Sequence, residues 1–144
     1  MAFHNPDREQ IRELLRSSET IAVVGLSDKP DRVSYMVSEA MQKKGYTIIP
    51  VNPNAETILG QQSYAKLSDI PVPVDIVNVF RRSEHTPAVA EEAAAIGAKT
   101  LWLQLGISND EAANIASAAG MNIIMDRCIK VEDSILLPQG KSKT

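Results

Sequence analysis

Five short apolar runs separated by stretches of helical spacing constrain this chain more than any other feature. Thr20 to Val24 (TIAVV) is continuous, β-rich and stopped by Gly25, the pattern of a strand buried on both faces. Leu26 to Val33 carries Ser, Asp, Lys and Pro and reads as a loop. From Ser34 to Lys44, the residues Met36, Val37, Ala40 and Met41 fall on one helical stripe, and Gly45 stands where a helix-ending glycine belongs. Tyr46 to Val51 (YTIIPV) completes a βαβ unit. The pattern then recurs. Val74 to Phe80 reads as strand, Ser83 to Ile96 as an Ala-rich helix ended by Gly97, and Lys99 to Leu103 as strand. Asn109 to Ala119 is the next helix, ended by Gly120, and Asn122 to Met125 the next strand. Such alternation predicts an α/β fold: a Rossmann-like, three-layer domain with a mainly parallel sheet of about five strands and helices on both faces.

The flanks are shorter on signal. Asn5-Pro6-Asp7 reads as an N-cap, a Pro at the first helical position and an early acid, with Ile11, Leu14 and Leu15 following at helical spacing. A leading helix is therefore expected within residues 1–18, to about Arg16. Between Asn52 and Pro73 lies a Pro-bearing connection with a brief segment around Tyr64 to Leu67. Lys130 to Leu137 reads as one more strand or as a helix, and 138–144 as a tail, frayed from Lys141 to Thr144. With 144 residues and no linker, repeat or low-complexity stretch, the expectation is one domain, its core spanning 20–132.

Composition excludes several classes of function. A net charge of −3 gives no global attraction for a polyanion, and two Phe, three Tyr and one Trp are too few for a base-stacking surface, so nucleic acid is not an expected partner. Cys128 is the single cysteine, which rules out an intrachain disulfide or a thiolate metal cage. His4 and His85 are the only histidines and read as surface residues, so neither a metal site nor a Ser-His-Asp triad is expected. No apolar run approaches the roughly 20 residues that cross a bilayer, and no leader pattern opens the chain. The expected location is cytoplasmic, without a membrane partner.

In doubly wound sheets the ligand crevice lies beyond the carboxyl ends of the strands, where strand order reverses. The stretch Gly25 to Tyr35 begins with a glycine that lets the backbone turn sharply and approach a ligand. Ser27 supplies a hydroxyl, Lys29 and Arg32 supply charge, and the helix starting near Ser34 presents free N–H groups at the positive end of its dipole. These residues fit a phosphate site. The same spacing also fits an ordinary turn with a capping serine and solvated charges. The dinucleotide fingerprint requires three glycines and an acid ending the second strand; here one glycine is present and the strand ends Pro50-Val51-Asn52-Pro53, which disfavours NAD. A Walker lysine motif is absent as well.

Other strand ends add candidates. Gln104 and Gly106 close the Lys99 to Leu103 strand and are the ligand candidates there, whereas Trp102, between Leu101 and Leu103, reads as core. Asp126-Arg127-Cys128 ends the last strand. A thiol beside arginine can be activated, but a buried, inert cysteine is the plainer reading.

The strings AVVGLSDKPDRVSY, IIPVNP, DIVNVFRRSE, LWLQLGI and DRCIKVE, in that order, resemble the small stand-alone CoA-binding proteins. Those are similar to the CoA-binding domain of succinyl-CoA synthetase α subunits and of ADP-forming acyl-CoA synthetases. The resemblance spans Thr20 to Glu132. It implies that Gly25, Leu26 and Ser27 hold the CoA diphosphate through backbone N–H groups and a hydroxyl. It further implies that Lys29, Arg32 and the Ser34-Tyr35 helix start help neutralise phosphates, that Asn52 and Pro53 flank the ribose and adenine, and that Phe80 and Arg81 border the adenosine or the pantetheine. Val33 departs from the proline expected there. The function implied is binding of coenzyme A or an acyl-CoA without chemistry of its own. Two alternatives stand beside it: a component of an ADP-forming acyl-CoA ligase acting with a partner subunit, or a Rossmann domain for another phosphorylated nucleotide. Such ligases use a phosphorylated histidine and an ATP-grasp partner, for which this chain has neither room nor a suitable histidine. Any protein partner is left open.

Overall fold

A computed structural model of the chain describes residues 3–140. In chain order the elements are α1 (Arg8–Ser17), β1 (Thr20–Val24), α2 (Val33–Lys43), β2 (Thr47–Val51), a short hairpin of β3 (Thr57–Ile58) and β4 (Gln61–Gln62), β5 (Ile76–Val79), α3 (Thr86–Ala95), β6 (Thr100–Leu103), α4 (Asp110–Ala118), β7 (Asn122–Ile124) and α5 (Ile129–Leu136). Five strands form one parallel sheet in the order β2-β1-β5-β6-β7. This is the Rossmann-like α/β fold that the alternation predicted.

Strand pleating divides the core into two layers. Ile21, Val23, Ile76, Trp102 and Ile124 point to the face covered by α1, α2 and α5, against Ile11, Leu15, Val37, Met41 and Ile129. Ala22, Val24, Val77, Val79, Leu101 and Leu103 point to the other face, covered by α3 and α4 through Val89, Ala90, Ala93, Ala112, Ala113 and Ala116. Each strand buries both faces, which is why its sequence is a continuous apolar run rather than an alternating one. Burying one such Leu or Ile contributes about 1.5–3 kcal/mol.

Several boundaries differ from the sequence expectation, each for a local reason. Asp7, not Asn5, caps α1. Its carboxylate accepts from the Gln10 N–H at 2.9 Å while the Gln10 side chain accepts from the Asp7 N–H, a reciprocal box that Asn5 could not form. Asn5 instead pairs its amide with both the N–H and the carbonyl of Met125, just beyond β7. The helix expected over Ser83 to Ile96 divides into a 3₁₀ turn, Ser83–His85, and α3; the Thr86 hydroxyl donates to the Ser83 carbonyl at 2.7 Å, and Pro87 sits in the first turn, where its missing N–H costs nothing. In the 52–73 connection, Tyr64 exchanges backbone hydrogen bonds with Pro50 and Asn52 and so covers the outer edge of β2. The segment Lys130 to Leu137 resolves as helix. The expected fraying of Lys141 to Thr144 lies outside the described residues.

α5 is anchored through a buried carboxylate. Asp133, 1% exposed, accepts from the Tyr46 hydroxyl, and the Lys44 ammonium lies 3.0 Å from its other oxygen while donating to Ser134. Burial, reinforced by the Asp133 carboxylate, pushes the Tyr46 hydroxyl well above the ordinary tyrosine range. At the same amino-terminal end of the strands, Asp75 accepts from the Glu19 and Thr20 N–H groups at 2.8 and 3.0 Å. Burial alone would raise its carboxyl, but those two donors and Lys99 outweigh burial and hold it below the usual carboxylate range.

Candidate functional site

Strand order reverses between β1 and β5. From β1 the chain leaves to α2 on one face, and from β5 it leaves to α3 on the other, so a crevice opens where the two strand ends part. Its volume is about 640 Å³, and its walls come from the β1–α2 loop, the end of β2 with Asn52, Pro53 and Asn54, and the end of β5 with Phe80 and Arg81.

Gly25 sits at the bottom with φ of +87°, and a Cβ there would lie 2.4 Å from the Phe80 carbonyl oxygen. A glycine is thus required by the close approach of the two strand ends to each other, before any ligand is considered. The loop that follows is internally tied. The Gly25 N–H donates to the Val51 carbonyl, the Ser27 N–H to the Ser34 hydroxyl at 3.0 Å, and the Lys29 N–H to the Ser27 hydroxyl at 3.1 Å. Asn52 staples the loop from β2: its Nδ2 donates to the Leu26 carbonyl at 2.9 Å and its Oδ1 accepts from the Asn54 N–H at 2.8 Å. Asn52 therefore acts first as a positioning residue, and two of the N–H groups expected to face a diphosphate are already used inside the protein.

Positive potential at the crevice comes from elsewhere. Arg32 is the N-cap of α2 in an extended conformation and makes no side-chain cap, so the first-turn N–H groups of Val33, Ser34 and Tyr35 lack a capping partner. Arg32 and Arg81 both line the crevice and are exposed, and among the described residues neither they nor Lys29 joins an ion pair. Asp31 is the one acid in the lining. An opening with two unpaired guanidiniums, a helix N-terminus and a largely satisfied loop is suited to an anion that bridges the strand ends.

Of the residues singled out from sequence, Gly25, Ser27, Arg32, Ser34, Asn52, Pro53, Phe80 and Arg81 share this lining. Leu26 is fully buried and packs with Ile21 and Val37 beneath the loop. Tyr35 is half-buried against the same cluster, and Lys29 is exposed and outside the lining. Gln104 and Gly106 lie outside the lining. Gln104 is 4% exposed, and its Oε1 accepts from Asn78 Nδ2 at 3.3 Å and from the Ile129 N–H at 3.4 Å, joining β5, β6 and the start of α5. Gly106 donates its N–H to Asp126 at 2.7 Å. Trp102 is core, its indole N–H donating to the Arg127 carbonyl at 2.9 Å. Cys128 is half-buried at the N-cap of α5. Asp31, Val33, Val51 and Asn54 line the crevice as well; the first two lie in the Gly25 to Tyr35 stretch without having been singled out, and the Asn-Pro-Asn string at a strand end was the available signal for Asn54.

The sequence pattern of the CoA binding domain family matches residues 19–134, through β1, the crevice and most of α5. The chain belongs to that family. The Bacillus subtilis (strain 168) protein YneT, described as uncharacterized, is 51% identical over 133 residues, covering 92% of this chain and 98% of YneT. A solved structure of a hypothetical protein from Pyrococcus horikoshii OT3 superposes with a TM-score of 0.89 at 36% identity, covering 95% of this chain and 99% of that one. The ADP-forming acetate–CoA ligase II of Archaeoglobus fulgidus is 31% identical over 83 residues, 56% of this chain but 12% of the ligase. Among the described residues, no helix is long and apolar enough to cross a membrane.

Proposed function

We propose that this chain binds coenzyme A or an acyl-CoA at the switch-point crevice and does so without chemistry of its own. The observation that carries the reading is that Arg32 and Arg81, in no ion pair among the described residues, line one crevice with the uncapped start of α2, at a strand-order reversal inside the family-matched span. The diphosphate lies against the first turn of α2, with the Ser27 hydroxyl hydrogen free to donate to it. NAD is disfavoured because β2 is followed directly by Asn52, whose amide is committed to Leu26 and Asn54, where a ribose-reading acid would be needed. Calorimetric titration tests this: CoA binds more tightly than NAD, and tighter NAD binding refutes the assignment. Native mass spectrometry of the purified protein gives an independent check through co-purified ligand.

The likeness to a segment of the acetate–CoA ligase supports a second reading, a ligase component that needs a partner. Under the first reading the isolated chain forms no thioester from ATP, CoA and short carboxylic acids. Thioester formation restored by added partner protein would favour the second.

A further inference from the structure

Among the described residues six large apolar side chains are exposed, and four of them, Val33, Met36, Val131 and Ile135, lie on α2 and α5. α1, α3 and α4 carry none. Lys44, which ends α2, donates to the Ser134 hydroxyl of α5 at 2.7 Å, and Arg12 of α1 donates to the Leu136 carbonyl at 3.3 Å, so α5 is the middle helix of its layer. Val131 and Ile135, both 49% exposed, stand one turn apart on the solvent side of α5, whose Ile129, Glu132 and Asp133 are buried. Val33 and Met36 stand one turn apart at the start of α2. We infer that this face of α2 and α5 is a docking surface for an acidic amphipathic helix of a partner protein. The inference stands whichever ligand the crevice takes.

Area and charge select the occupant. Four side chains about half exposed amount to roughly 300–400 Å² of apolar surface, the scale of the largest patch on a typical monomer. A stable dimer buries roughly 800 Å² per partner, whereas one helix covers such a patch by setting side chains at i, i+3 or i+4 and i+7 between the ridges of α2 and α5. Around the patch Arg32, Lys43 and Lys130 are exposed, and among the described residues none of them joins an ion pair. The acids of α5, Glu132 and Asp133, are buried beside Arg8 and Lys44, so half-buried Glu39 is the one acid that these two helices turn outward. Asp28, Asp31 and Asp126 belong to the loops at the carboxyl end of the sheet, where Lys29 and Arg127 partly offset them. An acidic helix complements the three free cations, whereas a second copy on a two-fold axis sets the same cations against each other. Tyr35, the one aromatic residue of the pair, is half-buried against the core, so the face lacks the exposed aromatic anchors of a helix lying in a lipid interface.

The test is selection on the unaltered protein from phage-displayed helical peptides of about four turns, with leucine fixed at i, i+3, i+4 and i+7 and Glu, Lys, Gln or Ala elsewhere. The selected pool should favour Glu over Lys. A synthetic peptide from that pool should bind the parent in fluorescence anisotropy. Met36→Glu and Val131→Glu should each weaken it by about tenfold or more, and Lys130→Glu by about threefold or more. Ser117→Glu, on α4, should change nothing. All four positions are exposed, so the variants should melt like the parent. A pool without excess Glu, or a peptide indifferent to Met36→Glu or to Val131→Glu, overturns the inference. So does a dimer in sedimentation equilibrium that Val131→Glu dissociates, because the occupant is then a second copy. Binding to vesicles of phosphatidylglycerol and phosphatidylcholine in equal parts, abolished by Val131→Glu, overturns it in favour of a lipid surface. Each of these failures leaves the CoA reading untouched, since Met36, Lys130 and Val131 lie outside the crevice lining.

Discussion

Adding one carbon at position 25 separates two reasons for a glycine. Gly25 and Gly106 have nearly the same φ, +87° and +86°, but a Cβ at Gly25 meets the Phe80 carbonyl oxygen at 2.4 Å while one at Gly106 meets nothing within 4 Å. Gly106→Ala therefore measures the conformational cost of a side chain at positive φ, about 1–2 kcal/mol. Gly25→Ala carries the same cost and adds a steric one. The oxygen belongs to backbone at the end of β5, whose Phe80 N–H donates to the Val24 carbonyl at 2.9 Å, so it can retreat only by parting β5 from β1. Overpacking of this kind adds about 1–3 kcal/mol, for a total of about 2–5 kcal/mol. At roughly 4 °C per kcal/mol for a chain of this size, Gly106→Ala should lower Tm by about 4–8 °C and Gly25→Ala by about 8–20 °C. Thermal and urea melts followed by circular dichroism read both. Equal losses for the two variants would refute the close approach. The same reasoning disqualifies Gly25→Val as a test of ligand contact, since a lost fold would mimic a lost site.

Three further outcomes are expected. Lys29→Ala should leave the melt without CoA unchanged and reduce CoA-induced stabilisation by less than about 1.5 kcal/mol, because Lys29 is exposed and water screens its contact; Lys43→Ala, at the far end of α2, should change neither, and identical behaviour of the two would remove the loop lysine from the site. Tyr46 has a folded-state pKa above its unfolded one, so its contribution is complete below the unfolded value of about 10 and is lost as pH rises beyond it. Urea titrations from pH 8 to 11 should show a steeper alkaline decline in the parent than in Tyr46→Phe. Asp75 shifts the other way: its folded pKa is depressed, so its contribution is present above the unfolded value of about 3.9 and disappears as pH falls through the folded one. Asp75→Asn should therefore flatten the acid side of the stability profile, and an unchanged acid slope would show that the Glu19 and Thr20 hydrogen bonds do not hold the carboxylate.

Local pattern made the strands and most helices legible, because burial on both sheet faces writes itself into runs such as TIAVV and TIIPV. Strand order was not legible in the same way. Placing β5 next to β1 depends on pairing Ile21 with Ile76, 55 positions away, and no short window encodes that. The site inherits this division. The β1–α2 loop could be found because Gly25, Ser27 and Arg32 are contiguous with a strand end, whereas the partner wall at Phe80 and Arg81 becomes part of the same crevice only through the strand order. Gln104 shows the opposite error. It follows a strand as a ligand-binding residue would, yet it shares the pleat parity of Asn78 and Trp102, and that face is roofed by α5, so its amide is drawn inward to Asn78 and the Ile129 N–H. Parity was available from sequence; the roof was not. The resemblance assigned Lys29 to the phosphates and Arg81 to the border of the adenosine or pantetheine, and the fold separates the two cations physically. Lys29 is exposed and outside the crevice lining, while Arg81 lines the crevice beside Gly25, so binding of a phosphorylated ligand there should depend on the arginine more than on the lysine.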